Sequence, residues 1–480
     1  MYAKVPGACK LARVEEEILS AIKPSKKEKE RAEEAARRAK SLVENALRDL
    51  GITGVNVTIE GSYAKDTWIS GDLDLDLFIL LPPSECLDVI KSGIVDRLAA
   101  KLSSMGLTIE KHYAQHPYLR VLVNDIWVEI VPGCAVPDPD KPVTAVDRTP
   151  FHRQYVISKM TPEMRDEARL LKSFMKGVGV YGAEIAIQGF SGYLVELLII
   201  HYGCFRSVLE AAQSWRPPVV IDIENHYRDK RVLLKKFKDA AMIVVDPVDP
   251  DRNVAAAVSR QSLARFIVAS LLYLNEPRKD FFYVPGAVEK PRPLPGKVLA
   301  VYGSRAGNTI VALFESPQKL PPDNLWGIAK RVLRAAIRLL EHWGFRILDA
   351  GAYASEEGRR FIVLVELESR TLPQLQLHLG PPAWNTSNAY RFIEKYRADE
   401  TAVGPWITSN GRLAVARPRR YRDAIALLRD RMSEWLPSSA QGFTVSVATL
   451  PEAIDRLQGD ELAWLLETGY KAPHWMKPRR

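Results

Sequence analysis

The chain has 480 residues, 47% of them hydrophobic and 26% charged, which suits an ordinary soluble protein of two to four domains and is too long for one core. Lys and Arg number 67 against 58 Asp and Glu, a net charge of +9 that suits a polyanionic partner without identifying one. The four cysteines, Cys9, Cys86, Cys134 and Cys204, form no C-x-x-C pair, which argues against a disulfide framework and a structural zinc site; no apolar run reaches membrane-spanning length, so a cytoplasmic protein with no membrane partner is expected.

Ala32, Ala35, Ala36, Ala39, Val43, Ala46 and Leu47 recur at helical spacing and predict a helix over 27–50 that stops at Gly51. A strand over 55–59, the turn at Gly61-Ser62 and a short helix from about 64 follow. Asp72, Asp74 and Asp76 then alternate with Leu73, Leu75 and Leu77. Period two predicts a strand over 72–81 with the leucines buried and the carboxylates sharing the other face. Residues 84–104 read as helix, and 107–113, 118–123 and 126–131 as strands. The last of these carries Glu129 and ends at Pro132-Gly133.

Helices are expected within 162–212 and over 254–275, a strand over 242–245, and a linker in the Pro-rich segment 285–296. A second α/β unit follows: a strand at 310–314, a helix over 324–343 capped by Asp323, strands at 346–353 and 361–367, a helix at 387–396 and a strand at 412–416. That order is a split βαβ sheet of the ferredoxin or RNA-recognition type. Helices over 421–436 and 450–467 close the chain. The fold class expected is therefore α+β and multidomain.

Neighbouring carboxylates repel and are costly to bury unless a cation lies between them. Asp74, Asp76 and Glu129, two from one strand and one from a later strand, are the candidate metal ligands and catalytic residues. An oxygen-only set favours Mg²⁺, with Mn²⁺ as the alternative, and two ions are expected. Asp72, at the strand's start, is expected to close the turn. The Gly61-Ser62 turn can offer backbone N–H groups to a phosphate.

Gly61-Ser62, the D-x-D at Asp74 and Asp76, and the later acidic strand resemble the nucleotidyltransferase superfamily of DNA polymerase β. G-S-Y-A-K-D-T-W (61–68), H-P-Y (116–118), A-V-D-R-T-P-F-H (145–152), E-A-R-L-L-K (167–172), V-Y-G-A-E (180–184), G-F-S-G-Y-L-V-E-L-L (189–198) and D-P-V-D-P-D-R-N-V-A-A (246–256) together resemble the archaeal, class I CCA-adding enzymes. The resemblance implies a catalytic nucleotidyltransferase domain over 1–150, a mainly helical nucleotide- and RNA-binding domain over 151–280, and a tRNA-binding body and tail over 281–480. It implies that Ser62, Lys65, Thr149, His152, Lys172 and Tyr181 contact the nucleotide and that Arg252 reads its base. Lys65 stands where the family often has Arg, and Glu129 where it usually has Asp.

The same resemblance implies stepwise addition of C, C and A to tRNA from CTP and ATP, with the acceptor stem and TΨC arm held by the C-terminal half. There Arg412, Arg417, Arg419, Arg420, Arg422 and the terminal Lys477-Pro478-Arg479-Arg480 suit phosphate contacts. Two rivals remain at this point: a poly(A) polymerase-like terminal transferase, and a non-catalytic RNA-binding protein on the same fold. Whether the chain forms a homodimer is open.

Overall fold

The computed structural model describes residues 11–113, 117–286 and 292–477. Cys9, His116, part of the Pro-rich segment and the last three residues lie outside the described residues. The chain divides into two compact units, Met1–Glu289 with Pro473–Arg480, and Lys290–Ala472.

The first unit opens on the helix Arg13–Ile22 and then Lys26–Asp49. Ser25 caps the second helix: its hydroxyl accepts from Glu28 N at 3.2 Å, and the Glu28 carboxylate accepts from Ser25 N at 2.8 Å. Ala35, Ala36, Ala39, Val43 and Leu47 of that helix pack on a five-stranded sheet. Its strands are β1 (Asn56–Glu60), β2 (Leu75–Leu81), β3 (Ile109–Tyr113), β4 (Pro117–Val123) and β5 (Ile126–Cys134). They lie in the order β1-β2-β5-β4-β3, with β2 and β5 parallel and the other pairs antiparallel. Leu75, Leu77 and Ile79 enter the core beneath the helices, so Asp74 and Asp76 project from the opposite face, as alternation requires.

Two local expectations need correction. The β2 strand starts at Leu75, not Asp72, because Asp72 turns back to donate its N–H to Ile69 O at 3.0 Å. The helix expected over 84–104 is two helices, Cys86–Lys91 and Ile94–Ser104, broken at Gly93, whose φ of +80° favours glycine. The cysteine expectation also fails. Leu81 pairs with Cys134 across β2 and β5, so the helix that starts at Cys86 returns beside the end of β5, and Cys86 and Cys134 form a disulfide. A sequence separation of 48 hides this adjacency.

The rest of this unit is helical: Thr149–Lys159, Pro162–Gly177, Gly192–Tyr202, Phe205–Ala212 and Arg260–Asn275 surround an apolar core centred on Phe174. A small parallel pair, β6 (Val219–Ile221) and β7 (Met242–Val244), edges it. The closing segment returns here. Trp475 packs on Phe281 with ring centroids 5.9 Å apart, and Arg278 donates to the carbonyls of Trp475 (2.6 Å) and Lys477 (3.1 Å).

The second unit contains β8 (Thr309–Glu315), the helix Pro322–His342, β9 (Ile347–Ala354), β10 (Arg360–Leu367), β11 (Leu375–Pro382), the helix Thr386–Tyr396, β12 (Val403–Ile407), β13 (Arg412–Pro418), the helix Ala424–Asp430 and β14 (Thr444–Thr449). The main sheet has the order β14-β8-β10-β9, all antiparallel. The split βαβ topology is present, but its second helix and fourth strand are Ala424–Asp430 and β14. The helix near 387 and the strand near 412 belong instead to an inserted three-stranded sheet, β11-β13-β12, on which Phe392 and Tyr396 pack. Pro321, not Asp323, precedes the long helix, and Asp323 lies in its first turn.

Candidate active site

The acidic cluster is assembled by register. Asp76 lies opposite Glu129 across the parallel pair and opposite Glu60 across the antiparallel one, while Arg120 of β4 lies opposite Glu129. Asp74, just before β2, is exposed and has Arg120 Nη2 at 3.6 Å. The Asp76 carboxyl lies against Gly61: a Cβ placed there would meet its Oδ2 at 1.7 Å. With a φ of +68°, Gly61 is required both by the turn and by this carboxylate. Burial, then Glu129 and Asp74, push Asp76 up to about 7. Burial and Asp74 also raise Glu129, against the pull of Arg120 and His112.

Among the described residues no three His, Cys, Asp or Glu side chains stand grouped as a ready metal cage, since Asp76 folds back on Gly61 and Asp74 faces Arg120. The donors themselves fit a hard divalent cation. They are oxygen-only, Asp76 and Glu129 are register partners on two hydrogen-bonded strands, and both are raised by burial first and by neighbouring carboxylates second.

Beside these acids lies a cavity of about 110 Å³ lined by Ser62, Asp72, Asp74, Lys172, Lys176 and Tyr181, among others. Ser62 reaches it from the four-residue helix Gly61–Ala64, and Lys172 from Pro162–Gly177. Tyr181 follows the turn after that helix and bridges to Phe190. Lys176 pairs with Asp72 and lies 5.2 Å over the Tyr181 ring. Lys65 is buried and donates to Glu196 Oε2 at 2.5 Å. Lys172 donates to Thr67 O at 2.9 Å and to Thr67 Oγ1 at 3.0 Å.

A second group forms around Asp246, which is fully buried. Its Oδ2 accepts from Arg252 Nη1 at 2.7 Å and contacts His152 Nε2 at 2.9 Å, and its Oδ1 accepts from the Tyr193 hydroxyl at 3.2 Å. The His152 and Tyr193 rings stack at 4.0 Å. Burial lowers His152 despite the pull of Asp246, which favours the neutral imidazole. Arg252 thus pairs with Asp246, and its side chain stays 37% exposed, free to meet a ligand. Lys65 Nζ lies 5.8 Å from the Tyr193 ring centre, which joins the two groups. Thr149 opens the helix that carries His152.

Sequence reasoning missed Glu196, Asp246, Tyr193 and Arg120. One signal was available for Glu196: it is a lone carboxylate inside Tyr193–Tyr202, an otherwise apolar helix stretch, and such a group must find buried cations. Of the C-terminal arginines, Arg412 donates to Gly380 O at 3.0 and 2.7 Å, Arg419 to Gln376 Oε1 at 3.3 Å, and Arg422 to Leu372 O at 3.3 Å, so part of this basic run braces its own fold.

Comparison with known proteins shows the family. Residues 40–152 match the nucleotidyltransferase domain family, 166–283 the second domain of tRNA nucleotidyltransferase, and 305–447 the C-terminal domain of the CCA-adding enzyme. The CCA-adding enzyme of Sulfurisphaera tokodaii is 36% identical over 466 residues, covering 97% of this chain and all of that one. That of Saccharolobus islandicus is 33% identical over 464 residues, again 97% of this chain and all of the relative. That of Pyrobaculum islandicum is 37% identical over 412 residues, 86% of this chain and 91% of its own. With similarity at this level along nearly its whole length, the chain belongs to the CCA-adding enzyme family.

Proposed function

We propose that this chain, a template-independent CCA-adding nucleotidyltransferase, extends the tRNA 3′ end with C, C and A at the acidic cluster beside Gly61-Ser62, drawing on CTP and ATP. Asp74, Asp76 and Glu129 would hold divalent ions, Mg²⁺ or Mn²⁺ and two in number, which when bound acidify the attacking 3′-hydroxyl and neutralise the departing pyrophosphate. Ser62, Lys65, Lys172 and Tyr181 bind the triphosphate. Lys65 supplies a point charge where an arginine would supply a bidentate fork. His152, Thr149 and Arg252 frame the base, with Asp246 holding Arg252 and His152 in place. Glu129 has one methylene more than the aspartate usual in the family, which would shift the metal or the attacking hydroxyl slightly. The C-terminal half grips the acceptor stem and TΨC arm through shape and backbone charge. A catalytic domain to residue 150, a helical domain to 280 and a tRNA-binding body beyond share this work in the cytoplasm.

The observation that supports this most is the register that pairs Asp76 with Glu129 next to the Gly61 turn. The test is incubation of purified protein, CTP, ATP and Mg²⁺ with tRNA lacking its last three nucleotides. Addition that stops after CCA supports the reading, and long A tracts favour a poly(A) polymerase. Asp76→Ala should abolish incorporation while tRNA binding persists. Surviving activity would refute the metal assignment.

A further inference from the structure

Glu196 does not itself line the cavity, yet it pairs with Lys172, which does, and with Lys65, assigned above to the same nucleotide. Its carboxylate is fully buried. Oε2 accepts from Lys65 Nζ at 2.5 Å, Oε1 accepts from the Thr67 hydroxyl at 2.5 Å, and Lys172 Nζ lies 3.6 Å from Oε1. The Thr67 hydroxyl has one proton. It donates that proton to Glu196, so toward Lys172 it can only accept. Lys172 therefore donates to both oxygens of Thr67 and lies beside Glu196, while its side chain also lines the cavity.

We propose that Glu196 is a positioning residue that holds Lys65 and Lys172 in place for the triphosphate end of the nucleotide, setting nucleotide affinity without touching the nucleotide. This rests on the assignment of that pocket made above. Two ammonium groups and one carboxylate leave a net single positive charge facing the bound anion. Without the carboxylate, two like charges would share a dry site, and one would give up its proton.

The groups facing Lys172 are Glu196 from the helix Gly192–Tyr202, Lys65 from the turn after Gly61–Ala64, and Arg169 from its own helix. Asp72, Asp74, Lys176 and the Tyr181 hydroxyl line the cavity beyond. Burial draws Lys172 down to about 8, opposed by Glu196, while Lys65 and Arg169 add to the fall. Glu196 itself is driven up by burial, but Lys65 and Lys172 outweigh this and hold it below its ordinary value.

Glu196→Gln keeps the shape and removes the charge. It should raise the KM and the equilibrium Kd for CTP and ATP alike by roughly tenfold or more at neutral pH, with a smaller change in kcat. The pH at which nucleotide binding begins to weaken should move to lower values than in the parent enzyme. Glu196→Asp should restore most of that pH profile. Thr67→Val, nearly isosteric, breaks the relay without leaving a buried charge bare. It should weaken binding several-fold, and it serves as the test if the glutamine variant does not fold.

Unchanged Kd and pH profiles in the folded variants, or a loss confined to kcat, would overturn the proposal. A parent protein that binds CTP but adds nothing to tRNA would overturn the functional reading instead, and the Kd measurements would still decide the role of Glu196.

Discussion

At the scale of single residues, Asp76 carries the largest electrostatic burden of the acidic site. Its carboxyl value, near 7 in place of 3.8, reflects burial first and repulsion from Glu129 and Asp74 second. A carboxyl raised in the folded state contributes stability below its unfolded value, and that contribution is lost as the pH rises through the folded value. In the presence of a chelator, Asp76→Asn should therefore melt at a higher temperature than the parent, with a gap that widens between about pH 5 and about pH 8. Adding Mg²⁺ should stabilise only the parent, and calorimetry with and without metal checks both points. Arg252 presents the contrasting case of a cation already held by one buried carboxylate and still partly open to solvent. Arg252→Ala should disturb the choice between CTP and ATP more than the overall turnover. Equal loss for both nucleotides in steady-state assays would argue against a base-reading role.

At the scale of elements, the parallel pairing of β2 with β5 creates the site and also the Cys86–Cys134 disulfide at the other end of the same strands. Closing a loop of this length restricts the unfolded chain by about 4 kcal/mol in the chain-entropy account. Replacing both cysteines with alanine should lower the melting temperature of the first unit by several degrees, measured by calorimetry, with nucleotide addition at moderate temperature retained. Local periodicity made most of the elements legible, as at Lys26–Asp49, where alanines at helical spacing follow a Ser25 cap. It also placed Asp74 and Asp76 on one face, and motif likeness singled out His152, Lys172 and Arg252. What it could not supply was pairing between distant segments. The disulfide, the Asp246 anchor and the Glu196–lysine group each join residues brought together only by folding. The β14 strand was readable in principle, since Thr444-Val445-Ser446-Val447 alternates, but the short helix before it and the insertion of β11, β12 and β13 hid its place in the main sheet.

At the scale of the whole molecule, the second unit is continuous in sequence, whereas the first is built from both ends of the chain. Trp475, 2% exposed, fills a place beside Phe281 in the first unit. Trp475→Ala should cost that unit about 3–5 kcal/mol and leave the melting of the second unit where it was, seen as a shift in one of two calorimetric transitions.

This arrangement also sets a schedule for biosynthesis. Residues up to 286 leave the ribosome long before Trp475 is made, and translation of the intervening stretch takes roughly 10–40 s. During that interval Phe281 lacks the Trp475 ring that packs on it in the folded protein. Phe281 therefore gains its Trp475 neighbour only after the whole second unit has been synthesised.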